Sequence, residues 1–249
     1  FKLNENAEVL EEWFGRTVIY SDRRFTYEEV QYIFERNGDA SESDLALPGE
    51  HPTALPKGAK PEGEYADELL TLNHIAKALR AKRFKAGAIG FDRPEVRFEI
   101  DETGRPISVY FKESKEANKL IEEFMLLANR TVAECIGKVP KNKKAKVFPY
   151  RIHDLPDPDK LENLNWFVNR FGYKIRTSGT NTEVSKSLNK LLAEVRGKKE
   201  QNLIEMVSLK AMQKARYSTH NIGHYGLAFD YYTHFTSPIR RFPDMMVHR

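Results

Sequence analysis

Near the end of the chain, Thr236-Ser237-Pro238-Ile239-Arg240-Arg241 sets hydroxyls and guanidiniums at a spacing suited to holding phosphate. Ser237-Pro238 predicts a helix start, with the serine as cap and the proline at the first helical position. Thr236, Ser237 and the free N–H groups of that turn would form a phosphate-sized anion site. Arg240 and Arg241 fall in the same first turn, where the helix dipole disfavours cations. Two arginines there need an external anion or a buried carboxylate such as Asp244. The residues alone leave two readings open: phosphate binding, or a structural Arg–Asp pair on a capped helix.

Other groups with chemical potential read more plainly. Four of the seven histidines, His220, His224, His234 and His248, lie in this last segment. His220 and His224 are four apart, but Gly223 argues against a helix presenting both, so a zinc site is not expected. Asp154, Asp157 and Asp159 resemble a carboxylate cluster, yet Pro156 and Pro158 intervene and Asp157 is placed to cap a helix. No metal ligand is therefore assigned from these residues. The run Lys138, Lys141, Lys143, Lys144 and Lys146 reads as a solvated loop. Cys135 is the only cysteine, which excludes an internal disulfide and favours a reducing compartment.

These groups must be positioned by a chain of 249 residues, enough to bury a substantial core. A mean hydropathy of −0.61 and a charged fraction of 31% exclude a membrane-embedded protein. No apolar run approaches the roughly 18 residues a spanning helix needs. The net charge of +4 permits a polyanionic partner without demanding one. Phe1 and Arg249 both read as cuts, predicting a piece of a longer protein.

The element pattern is α+β and helix-rich with a small antiparallel β section. Thr17 to Tyr20 is a β-flavoured run, and Thr26 caps a helix carrying Val30, Ile33 and Phe34 on one face. Asn37 to Glu64 reads as a long mobile loop, an insertion rather than a boundary. Helices are expected from Tyr65 to about Lys85, Glu116 to Ile136, Asp157 to about Phe171, Val184 to Arg196 and Glu200 to Tyr217. Between the first two, Ala88 to Phe91, Val96 to Ile100 and Ile107 to Phe111 read as a hairpin or meander turning at Asp101–Pro106. Tyr150 to His153 is a short strand.

His224-Tyr225-Gly226-Leu227-Ala228 and Tyr232-Thr233-His234-Phe235-Thr236-Ser237-Pro238-Ile239-Arg240-Arg241-Phe242-Pro243-Asp244 resemble the signature of the RNase R / RNase II (RNB) family of 3′-to-5′ exoribonucleases. Ile121 to Glu134, Gly87 to Asp92, Arg23 to Val30 and Tyr150 to Pro156 extend the likeness over essentially the whole chain, with bacterial RNase R the nearest pattern. The resemblance implies a catalytic domain that threads single-stranded RNA through a narrow channel and releases nucleoside 5′-monophosphates by Mg²⁺-assisted in-line hydrolysis. It makes Arg240 the positive side chain at the scissile phosphate, with Ser237 and Arg241 as substrate-phosphate contacts. Tyr27 matches a tyrosine near the RNA 3′ end. Phe91 stands where an aromatic stacks on terminal bases, against the ordinary reading of a strand aromatic as core. Glu122 fits the substrate-contacting glutamate, with Glu123 in reserve.

The chain departs from that pattern in one respect. The family's metal-binding aspartates form a tight group on a preceding segment, and no such group occurs in these 249 residues. The expectation is a partial RNB catalytic domain, without that segment and without the C-terminal S1 domain, from a cytoplasmic Mg²⁺ enzyme. The piece alone should bind no catalytic Mg²⁺ and cleave no RNA; its oligomeric state is not readable. A competing expectation is a non-catalytic RNA-binding or regulatory protein on the same scaffold, and a weaker one is an unrelated metal hydrolase using the C-terminal histidines.

Overall fold

The computed structural model describes residues 1–39, 62–91, 95–112, 114–140, 142–143 and 146–249. The chain divides into two compact units, one of Phe1–Arg80 with Asp92–Phe124, the other of Ala81–Phe91 with Met125–Arg249. Among the described residues helices dominate and the strands occur in three separate antiparallel pairs, as the α+β, helix-rich pattern predicts.

The first unit begins with β1 (Lys2–Leu3) paired to β2 (Val9–Glu11). Helix α1 (Tyr27–Arg36) starts at Thr26 through a capping box: Thr26 Oγ1 accepts from Glu29 N–H, and the Glu29 carboxylate accepts from Thr26 N–H. Asn37 closes the helix and joins the edges of the segment between α1 and the next helix. Its side chain donates to Ile33 and Glu62 carbonyls and accepts from Glu62 N–H. Most of the loop expected over 37–64 lies outside the described residues.

Helix α2 (Ala66–Ala86) follows, and β3 (Glu95–Ile100) and β4 (Pro106–Lys112) form the expected hairpin. Its turn is held by Asp101 Oδ1, which accepts from Thr103 N–H, the Thr103 hydroxyl and Arg105 N–H, while Gly104 adopts φ +83°. Helix α3 (Glu116–Gly137) comes next. Within the first unit Phe34, Ala76, Ala117 and Leu120 form the core, with Val30, Leu69, Leu70 and Phe124 packed on it. Thr17 to Tyr20 forms no strand; Val18 is fully exposed.

The second unit carries the larger core. Helix α4 (Pro158–Asn169) opens on Asp157, whose carboxylate accepts from Asp159 and Lys160 N–H. Helix α5 (Asn181–Val195) repeats the capping box with Thr180 and Glu183, and buries Val184, Leu188, Leu191 and Val195 on one stripe. Leu161, Leu164 and Val168 of α4 and Ile204 and Ala211 of α6 (Gln201–Ala211) complete this core. Each such fully buried Leu, Ile or Val contributes about 1.5–3 kcal/mol.

The last predicted helix, Glu200 to Tyr217, is cut short. It ends at Ala211, and Arg216–Ser218 instead forms β6, antiparallel to β5 (Tyr150–Ile152) with Arg151 opposite Tyr217. Ala88 to Phe91 is likewise not a strand. Ile89 N–H bonds to the Gly226 carbonyl and the Asn189 side chain spans Ala88 and Gly90, so tertiary contacts replace a ladder.

Glu116 is the most consequential charge of the first unit. It is 1% exposed, pairs with Arg80 at 2.8 Å and has Lys119 at 3.5 Å. Burial pushes its carboxyl up, but Arg80 and the neighbouring lysines outweigh burial and hold it below the usual range. Removing one partner leaves an uncompensated buried charge. Arg80→Ala, which leaves the buried Glu116 carboxylate with Lys119 at 3.5 Å, is therefore expected to lower stability by about 3 kcal/mol, and a paired Arg80→Met, Glu116→Leu replacement to recover most of it in denaturant unfolding. A single variant as stable as the parent would contradict this.

Candidate functional site

The signature segment lies wholly in the second unit, where buried side chains hold it at several points. Thr233 Oγ1 donates to the Pro149 carbonyl and Arg151 N–H to the Tyr232 carbonyl, tying the segment to β5. Asn129, 3% exposed on α3, accepts from Phe235 N–H at 2.9 Å and Thr236 N–H at 3.2 Å through one amide oxygen. Its NH₂ donates to the Tyr232 hydroxyl at 3.2 Å, and this pattern identifies which amide atom is oxygen. One residue on, Ser237 N–H donates to Asp244 Oδ2 at 2.9 Å.

This arrangement corrects the predicted anion nest. The N–H groups of Thr236 and Ser237 are occupied by internal acceptors, and those of Arg240 and Arg241 bond to the Ser237 carbonyl at 3.3 and 3.1 Å. Ser237-Pro238 opens a turn, not a helix. The short helix α7 (Phe242–His248) starts later, with Arg241 as its N-cap residue and no side-chain cap. Pro243 gives the physical reason. In a helix running on from Pro238 it would clash with the carbonyl of Ile239 and leave it without a donor, whereas in the first turn of a new helix it is tolerated.

The two arginines separate in the same way. Asp244 is fully buried, and Arg241 Nη2 donates to its Oδ2 at 2.9 Å while Nε lies 2.8 Å from Oδ1, off a good hydrogen-bonding line. Arg241 thus takes the structural role of partner to a buried carboxylate, so its guanidinium is already engaged where the sequence placed a substrate-phosphate contact. The Arg240 side chain is exposed and makes no hydrogen bond or ion pair among the described residues. Ser237 is half-buried in the same turn.

The other predicted residues stand elsewhere. Phe91, in the second unit, is half-buried and packs against the large core, the ordinary fate of an aromatic at such a position. Tyr27 and Glu122 belong to the first unit: Tyr27 is the first residue of α1 and 43% exposed, and Glu122 is exposed on α3. Its neighbour Glu123 is 4% exposed, so the reserve candidate is a buried side chain.

Asn129 lies inside the Ile121 to Glu134 stretch of the family likeness but is not among the residues the sequence singled out. The overlooked signal is that Asn129 shares a stripe with Leu126 and Ala133, both buried, and an amide on an apolar stripe needs internal partners. The histidines also have structural employment. His153 Nδ1 accepts from Gly226 N–H at 2.9 Å, so its Nε2–H donates to the Gln213 carbonyl at 2.7 Å. A Cβ at Gly226 would lie 3.0 Å from that ring, a close approach that favours glycine. His224 Nδ1 accepts from Leu227 N–H, and His234 Nδ1 meets the Tyr217 hydroxyl at 2.6 Å. Among the described residues no three His, Cys, Asp or Glu side chains come together to hold a metal ion. A cleft of about 600 Å³ is lined by His153, His224, Tyr225, Asn181, Thr182 and Asp230 among others, and by none of the predicted site residues.

Burial lowers the His224 imidazole to about 3, with His153 adding to the effect. Burial lowers His234 to about 4, aided by Arg241 and Arg151. Both rings stay neutral in the fold, while the unfolded chain protonates them below about pH 6.5. Their stability contribution is complete above that pH and is lost progressively as pH falls toward 4 and then 3. Between pH 6 and 5, stability is expected to drop by up to about 2.5 kcal/mol per pH unit. Chemical denaturation should show this slope flattened in a His224→Gln, His234→Gln double variant; an unaltered slope contradicts the assignment.

With this geometry in place, the comparisons with known proteins agree on one family. The RNB domain matches residues 1–249. Ribonuclease R of Aquifex aeolicus is 36% identical over 94% of the chain and 30% of its own length. A protein of Arabidopsis thaliana named inactive exonuclease DIS3L2 is 32% identical over 99% of the chain and 23% of its own length. Among solved structures, RNase R of Mycoplasma genitalium in complex with ribose-methylated single-stranded RNA superposes with a TM-score of 0.64, at 28% identity, over 78% of the chain and 30% of that protein. The chain thus spans about 30% of the length of the first of these relatives. By the full-length domain match and the shared fold, the chain belongs to the RNB family.

Proposed function

We propose that this chain is a section of the catalytic domain of a 3′-to-5′ exoribonuclease that degrades single-stranded RNA to nucleoside 5′-monophosphates. Its own contribution is the Arg240 guanidinium at the scissile phosphate. The observation that carries this reading is the contrast inside one turn: Arg241 is engaged by the buried Asp244, while the Arg240 guanidinium is exposed without a partner among the described residues. A fixed guanidinium fork matches phosphate oxygens and stabilises the charge that gathers on them during displacement. Support also comes from the RNase R relatives and from a structural neighbour solved with single-stranded RNA.

Tyr27 is proposed to contact the RNA near its 3′ end and Glu122 to contact the substrate, both being exposed side chains. Phe91 and Ser237 are weaker members of the set, as is Arg241, whose Nη2 is already bonded to Asp244. The family likeness implies Mg²⁺, which supplies an activated water and a clamp on the phosphate. The described residues do not fit that ion, since no carboxylate group converges to ligate it. The proposed setting is a reducing, cytoplasmic one, in keeping with the single free cysteine. Among the described residues, no helix is long and apolar enough to cross a membrane.

A second reading, a non-catalytic RNA-binding protein on the RNB scaffold, is favoured by the relative named an inactive exonuclease. The two differ in the polypeptide that precedes this chain: closely spaced aspartates support the enzyme, and their replacement supports the binding protein.

In the full-length protein, Arg240→Ala is expected to slow hydrolysis of a labelled oligoribonucleotide by about 10²–10³-fold with RNA affinity within a few-fold. A large loss of affinity with unchanged turnover would overturn the assigned role. The purified 249-residue chain is expected to release no mononucleotide in Mg²⁺ under conditions where the full-length protein does. Processive release by the chain alone contradicts that expectation.

A further inference from the structure

We infer that Asn129 is a positioning residue for Arg240, acting through the backbone of the turn and not through contact with RNA. The inference rests on the role proposed for Arg240. Asn129 projects from α3 and is 3% exposed, which places it out of reach of a substrate. Its single amide oxygen accepts two consecutive N–H groups, Phe235 at 2.9 Å and Thr236 at 3.2 Å, using both lone pairs. The next N–H, of Ser237, bonds to Asp244, and the Ser237 carbonyl then receives Arg240 and Arg241 N–H. The path from Asn129 to the Arg240 backbone therefore runs through three consecutive bonded N–H groups and the Ser237 carbonyl that closes the turn.

The far side of the amide is also held. Asn129 Nδ2 donates to the hydroxyl of Tyr232, itself 5% exposed, so the side chain cannot rotate without leaving buried groups unpaired. Burial matters because the one oxygen that serves Phe235 and Thr236 belongs to a side chain 3% exposed, so water does not simply take its place when it is removed. A turn freed at these two positions gains backbone freedom four residues from Arg240, and a misplacement of about 1 Å at a reacting group can cost about 10²-fold in rate. Asp244 has the matching role from the C-terminal side, but its substitution also releases Arg241. Asn129 is the cleaner probe.

The test is a double-mutant cycle in the full-length protein, reading the single-turnover cleavage rate and RNA affinity separately. Asn129→Leu is expected to slow cleavage at least tenfold with RNA affinity within twofold. Asn129→Asp keeps oxygens for both N–H groups and should restore the rate to within threefold of the parent. In an Arg240→Ala background, Asn129→Leu should change the rate by less than twofold, because the group it positions is gone. An equal loss in both backgrounds, or a parental rate for folded Asn129→Leu, overturns the inference. Should Asn129→Leu not fold, Tyr232→Phe loosens the same amide and must slow cleavage about threefold, again only when Arg240 is present. If Arg240→Ala itself proves fully active, the reading of Arg240 falls. Positioning is then judged by hydrogen exchange: Asn129→Leu or Tyr232→Phe must accelerate the Phe235 and Thr236 amides at least tenfold, and unchanged exchange refutes it.

Discussion

Three successive backbone N–H groups, those of Phe235, Thr236 and Ser237, give up water when the signature segment folds, and a buried donor without an acceptor costs about 1–3 kcal/mol. The fold meets this demand with two side chains from different helices. Asn129 takes the first two and Asp244 the third. Asp244 is a fully buried carboxylate, so it in turn requires a cation, and Arg241 supplies it at 2.8–2.9 Å. Of the two guanidiniums in this turn, that chain of obligations leaves Arg240 without a side-chain partner among the described residues. The turn behaves as a mount, satisfied on its inner side and presenting one positive charge outward.

The neighbouring histidines fit this picture as scaffolding. His153, His224 and His234 each bond to backbone or to a tyrosine hydroxyl, and His224 and His234 remain uncharged near neutral pH because burial and nearby cations disfavour their protonated forms. A segment dense in His, Tyr and Arg therefore divides its labour. Neutral rings and hydroxyls connect the loop to β5 and β6, while the positive charge that is not absorbed by Asp244 faces solvent. A metal centre built from this segment's histidines has no support among the described residues.

Local rules made much of the architecture legible. Thr26 before α1 and Asp157 before Pro158 are helix starts whose chemistry lies within four residues of chain, and the structure shows each bond, whereas α5, expected from Val184, starts three residues earlier on the Thr180–Glu183 capping box. The stripe of α5 and the hairpin turn at Asp101 are similarly self-contained. What could not be read depended on distant partners. The end of α6 is decided by the pairing of Arg216–Ser218 with a strand more than sixty residues earlier in the chain. The run Ala88 to Phe91 is placed by Asn189 and Gly226. At the site, the arginine pair was visible, but its division required knowing that Asn129 had already taken the N–H groups a phosphate would use, and that Pro243 forces the helix to begin afresh.

Backbone hydrogen exchange at residues 235–237 tests this most directly, measured by NMR or fragment-resolved mass spectrometry with and without single-stranded RNA in the full-length protein. Internal acceptors predict that these three amides exchange slowly in the free protein and change little when RNA binds. Rapid exchange in the free protein, followed by strong protection on adding RNA, would mean that phosphate occupies those groups, and the mount described for Arg240 would be wrong.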